Sequence, residues 1–96
     1  MKPSEALNLN RAAIRQVVES HRAHNARVFG SVAHGADTDD SDLDILIDPS
    51  PEATLFDIGA IRHELLTLLG VPVDVVTPKA LPPKSREAVL AEARPV

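Results

Sequence analysis

The segment Asp42 to Asp48, DLDILID, constrains this chain more than any other. Apolar Leu43, Ile45 and Ile47 alternate with Asp42, Asp44, Leu46 and Asp48. A period of two sends successive side chains to opposite faces, so the segment reads as a strand with one face in a core. The other face carries acids. Asp42 and Asp44 point the same way, with Cα atoms about 7 Å apart. Two ionised carboxylates fixed on one partly enclosed face repel each other unless something offsets them. A divalent cation does so, and Mg2+ suits the donors: it takes one or two carboxylates and completes its octahedron with water and substrate phosphates. A D-x-D pair alone is more often two solvated acids. Here Leu43 and Ile45 fix both acids onto one side of a core strand.

The rest of the chain reads as elements around that strand. Ala12, Ala13, Ile14, Val17, Val18 and His21 recur at helical spacing, predicting a helix over about 11–24 with Asn10, Asn8 or Ser4 as its cap. Residues 26–29 read as a short strand running into Gly30, and 31–35 as a turn of helix. After Pro49-Ser50-Pro51, the stripe Leu55, Ile58, Ile61, Leu65 and Leu68 or Leu69 predicts a helix over about 52–69, closed by Gly70. Residues 71–77 give a third strand, and a last helix runs through Glu87, Leu90 and Ala93, with Ser85 as a candidate cap. The order α-β-α-β-α-β-α describes a compact α/β (α+β) layer with a short mixed sheet of three or four strands. Ninety-six residues are expected to make one domain, 1–96. With only Phe29 and Phe56 as aromatics, the core must be aliphatic.

Gly30-Ser31 follows a strand and opens a turn. A glycine there lets the backbone approach a ligand closely, exposed amides suit an anion, and Ser31 adds a hydroxyl. The pair alone is uninformative, and better-known loops fail on named residues. Gly30 and Gly35 show the outer spacing of a P-loop, but Ala36 and Asp37 stand where Lys and Ser or Thr are needed. No G-x-G-x-x-G is present. Asp40, Asp42 and Asp44 match the first ligand positions of an EF-hand, but Ile45 replaces its glycine and Pro51 its bidentate glutamate. Gly30-Ser31 is not within G-x-S-x-G, so a serine hydrolase has no support. Asp74, between Val73 and Val75, is an acid in an apolar strand: it either reaches the same cation as Asp42 and Asp44 or faces water at a sheet edge. His34 reads as a polar turn residue within reach of a phosphate at Gly30. His21, His24 and His63 read as helix-surface residues, and Asp37, Asp39 and Asp40 as solvated loop acids.

Charge and composition exclude several classes. The net charge is −4, and six aspartates fall within residues 37–48, so direct nucleic-acid binding is not expected. No cysteine is present, which removes disulfides and thiolate metal sites and agrees with a reducing cytoplasm. No apolar run approaches the roughly 20 residues that span a bilayer, and the first residues lack a signal peptide's apolar region.

In combination, Gly30-Ser31, ten intervening residues, Asp42-x-Asp44 and a later strand Asp74 resemble the DNA polymerase β-like nucleotidyltransferase superfamily. The match is closest to its minimal nucleotidyltransferase (MNT) domains, the antitoxins paired with HEPN-domain toxins. FGSVAHG, SDLDILID and TLFDIGAIRHELLTLLGVPVDVVTP carry it over nearly the whole chain. The resemblance implies that Asp42 and Asp44 bind two Mg2+ ions, that Asp74 binds the catalytic one, and that Gly30 and Ser31 hold the triphosphate of ATP. It also implies AMP transfer to a tyrosine of a HEPN ribonuclease partner, with release of pyrophosphate. One departure stands out: His34 replaces the arginine usual in G-S-x-A-R-G. Larger relatives add a helical domain that binds the acceptor, so here a partner is expected to supply that side. Two alternatives remain, an antitoxin that acts by binding alone and, less strongly, a transferase for small molecules.

Overall fold

A computed structural model describes residues 1–96. It has helices α1 (Pro3–Leu9), α2 (Arg11–Ser20), α3 (Leu55–Leu69) and α4 (Pro83–Glu92), with strands β1 (Ala23–Phe29), β2 (Leu43–Pro49), β3 (Val73–Val76) and β4 (Arg94–Pro95). The strands form one mixed sheet in the order β3-β2-β1-β4. β1 is antiparallel to both β2 and β4, whereas β2 and β3 are parallel. The parallel pair requires a crossover, and α3 supplies it.

The alternation in β2 fixes which face is which. Leu43, Ile45 and Ile47 are fully buried and join Val28, Val73 and Val75 of the neighbouring strands under Ile14 and Val18 of α2 and Ile61, Leu65 and Leu69 of α3. Burying each of these side chains stabilises the fold by roughly 1.5–3 kcal/mol. The core is aliphatic throughout; neither phenylalanine belongs to it. On the opposite face Leu46 is also fully buried; like Leu81 and Pro3 it lies outside the main cluster. A 3-10 turn, Pro78–Ala80, packs against β2 on its way to Leu81.

α3 begins and ends where local chemistry sets it. The Asp57 carboxylate accepts the Thr54 N–H at 2.9 Å, satisfying one of the free donors at the helix start. At the other end Gly70 adopts φ +67°, and its N–H reaches the Leu66 carbonyl at 3.0 Å. Of the expected stripe, Leu69 rather than Leu68 is buried, and Leu55 is 84% exposed. Its first turn points away from the sheet.

Several parts of the expected order and several bounds change. An additional helix, α1, precedes α2, and α2 ends at Ser20 rather than near residue 24. Residues 23–25 belong to β1 instead, so His24 is an exposed strand residue. Residues 31–35 form turns and not a helix, and β4 closes the far side of β1. The last helix starts at Pro83, ahead of Ser85.

Candidate active site

Asp44 and Asp74 meet at the junction of β2, β3 and the turn after β1. Asp44 and Asp74 are directly paired in the parallel register of β2 and β3. Side chains at paired positions share a face, so the sheet itself brings Asp74 beside Asp44. Asp42 lies just before β2 and is exposed. Asp44 is half-buried, and Asp74 is exposed on an edge strand. The molecule's four ion pairs leave all three carboxylates unpaired. Burial, then Asp74, then Asp42, push the Asp44 carboxyl up to about 6. Desolvation disfavours its charge and two like charges add to the penalty.

Gly30 completes the junction from β1. It directly follows Phe29, which opposes Asp44, and it has φ +71°. A Cβ built on Gly30 would stand 2.4 Å from Asp44 Oδ2. Glycine is therefore required twice over, by its left-handed backbone and by the space the carboxylate already fills. Beyond it the chain turns at once: the His34 N–H reaches the Gly30 carbonyl at 3.2 Å and the Ala36 N–H the Ser31 carbonyl at 2.9 Å. The largest cleft, about 580 Å3 between α2 and α3, touches none of these residues. The carboxylates sit on an open sheet face.

Other acids of the 37–48 run have separate employment. Both Asp48 oxygens are taken, one by Arg27 at 2.6 Å and the other by the Asn25 amide at 2.8 Å. Asn25 reaches it from a left-handed backbone at the irregularity in β1. Asp37 is not a solvated loop acid: it is 8% exposed and accepts the Ser4 N–H at 2.9 Å. That hydrogen bond, chiefly, holds its carboxyl below the usual range. Asp39 and Asp40 are exposed as expected. His21 lies at the end of α2 and pairs with Glu64 of α3. The residue missed in sequence is Glu92. Its Oε2 lies 2.7 Å from His34 Nε2, and the Gly30 N–H donates to its Oε1 at 3.4 Å. A contact across 58 residues leaves no local signature in sequence.

The donors suit a hard cation. Asp42, Asp44 and Asp74 supply only carboxylate oxygens, and none of the three is paired with a cationic side chain. No three acidic or histidine side chains stand close enough to enclose an ion by themselves. Mg2+ does not require that, since it is held by one or two carboxylates with water and phosphate oxygens completing the shell.

A glycine turn against a pair of strand-borne acids defines a class, and comparison with known proteins identifies it. Residues 11–96 match the nucleotidyltransferase domain family. A Methanocaldococcus jannaschii protein named "Putative protein adenylyltransferase MJ0435" is 32% identical over 89 residues, 91% of this chain and 96% of that protein. A second from the same organism, "Putative protein adenylyltransferase MJ0126", is 30% identical over 81% of this chain and 80% of its own length. The solved "Structure of putative minimal nucleotidyltransferase" superposes with a TM-score of 0.87 at 43% identity, covering 97% of this chain and 95% of that one. Another, "Crystal structure of the toxin-antitoxin with AMP-PNP", shares the fold with a TM-score of 0.75 at 18% identity, over 90% and 71% of the two chains. The chain belongs to the nucleotidyltransferase domain family. It is one of the minimal nucleotidyltransferases.

Proposed function

We propose that this chain is an antitoxin that transfers AMP from ATP to a tyrosine hydroxyl of a HEPN-family ribonuclease toxin in the cytoplasm, working as one domain. The observation that carries the chemistry is the pairing of Asp44 with Asp74 beside a glycine whose Cα side is filled by the Asp44 carboxylate. The protein acceptor and the toxin rest on likeness: two relatives are named as protein adenylyltransferases, and a protein of the same fold is a toxin–antitoxin with AMP-PNP.

Gly30 and Ser31 hold the triphosphate through backbone amides and the Ser31 hydroxyl, aligning its α-phosphorus with the carboxylates. Asp42, Asp44 and Asp74 would hold Mg2+, two ions on this reading, and the bound metal would neutralise charge developing on the phosphoryl oxygens. The acceptor oxygen forms a bond to the α-phosphorus while the bond to the bridging oxygen of pyrophosphate breaks. Asp74, exposed on the edge strand, takes the acceptor's proton, and pyrophosphate leaves. The test is the intact mass of a HEPN partner co-expressed with this chain. Gain of AMP units that disappears with Asp44→Asn supports the reading; an unmodified partner overturns it. Glu92 on the phosphate turn favours a second reading, neutralisation by binding alone. In that case Asp42→Asn and Asp44→Asn still protect cells from the toxin.

A further inference from the structure

The turn after β1 already holds an anion. One carboxylate, that of Glu92 at the end of α4, accepts from the Gly30 N–H at 3.4 Å and meets His34 Nε2 at 2.7 Å. A phosphate group offers the same kind of acceptor, an anionic oxygen pair. The direction of the Gly30 amide is fixed by its left-handed backbone and by Asp44 packed against its Cα. Glu92 and Asp44 thus approach one glycine from two sides. Nothing in the core depends on Glu92, since its helix buries no residue.

We propose that Glu92 is an internal competitor for the substrate's phosphates, so that the end of α4 gates the triphosphate turn. This rests on Gly30 and Ser31 being the triphosphate site. A triphosphate that uses the Gly30 amide or His34 must displace the Glu92 carboxylate. The surrounding structure lets it leave without unfolding anything. α4 contributes no buried residue. It is tied down near its start, where Arg86 donates to the carbonyls of Pro78, Lys79 and Leu81 at 2.8, 3.3 and 3.0 Å. Beyond it the chain is tied again, where the Val96 N–H reaches the Ala26 carbonyl at 3.0 Å and Arg15 reaches the Val96 carbonyl at 2.9 Å. Glu92 lies between Arg86 and the β4 pairing that begins at Arg94, and its side chain can rotate away while both hold. His34 then passes from Glu92 to the phosphate, a handover that an arginine bound tightly to the same carboxylate would make harder.

Calorimetric titration of wild type, Glu92→Gln and Glu92→Ala tests this, using Mg·AMP-PNP, Mg·tripolyphosphate and adenosine as separate probes. Apparent affinity falls by the fraction of molecules that are open, so a carboxylate engaged about nine-tenths of the time weakens binding roughly tenfold. Both variants are expected to bind the two phosphate probes several-fold to roughly tenfold more tightly, with adenosine and the unfolding midpoint unchanged. Equal or weaker binding of Mg·AMP-PNP by the variants overturns the gate and leaves the triphosphate site standing. Failure of every form to bind either phosphate probe overturns both. A gain that extends equally to adenosine also overturns the gate, because the effect then does not concern phosphate.

Discussion

The Asp44 carboxyl is where fold and chemistry pull in opposite directions. Burial and its two acidic neighbours raise its pKa from 3.8 to about 6. Between those values the folded chain binds more protons at this site than the unfolded chain, so stability falls as pH rises across the window. The metal-free protein should lose thermal stability between 3.8 and about 6, and Asp44→Asn should flatten that slope. Thermal unfolding in a chelating buffer over this range measures both. Asp37 has the opposite sign: its lowered carboxyl contributes stability that is lost as pH falls below 3.8. The two effects therefore occupy different ends of the profile. At neutral pH, Asp44→Asn relieves repulsion and, on the proposed function, removes a metal ligand together. We expect it to be at least as stable as wild type while losing activity on the order of 1,000-fold, since bound metal supplies several kcal/mol of transition-state stabilisation. Stopped-time AMP transfer assays beside unfolding curves check this pair; a variant that is both unstable and inactive would show that Asp44 serves the fold instead.

Single elements show how sequence patterns reveal some parts of this molecule and hide others. β2 was legible because its period is local and every apolar residue on one face reaches the core. The pairing of Asp44 with Asp74 could be stated only conditionally from sequence, because strand adjacency depends on the α3 crossover. α1 was illegible for a physical reason. Seven residues are too few to sustain a helix alone; Pro3, Ala6 and Leu7 are held by burial, and Asp37 caps the helix start from 33 residues away. β4 is likewise two residues, one of them proline, defined by its pairing with β1. Such elements exist through tertiary contacts that no periodicity encodes. The Asp37 bond makes this testable. Asp37→Ala leaves a helix-start donor unsatisfied and should cost about 1 kcal/mol, within the range for loss of an N-terminal cap. Urea unfolding gives the stability change, and faster amide exchange confined to α1 and the 36–41 loop would locate it there.

Across the whole molecule, the two faces of the sheet divide the work. One is covered by α2 and α3 and supplies the stability; the other is largely open and gathers charge. The net charge of −4 and three unpaired carboxylates oppose the approach of a triphosphate, which is itself strongly anionic. Nucleotide and cation should therefore bind as a thermodynamic unit. Each removes a repulsion that the other would meet alone, the nucleotide by completing the ion's oxygen shell and the ion by neutralising the acids. Mg2+ alone and AMP-PNP alone are expected to shift the unfolding midpoint little. Both together, at about a hundredfold excess over their dissociation constant, should stabilise the fold by about 2.7 kcal/mol through binding linkage. Asp42→Asn, exposed and outside the core, should abolish that joint shift without lowering the unliganded midpoint. Thermal unfolding with each component omitted in turn decides the matter. If AMP-PNP alone gives the full shift, the nucleotide is not held through the carboxylates, and their crowding on the open face has another cause.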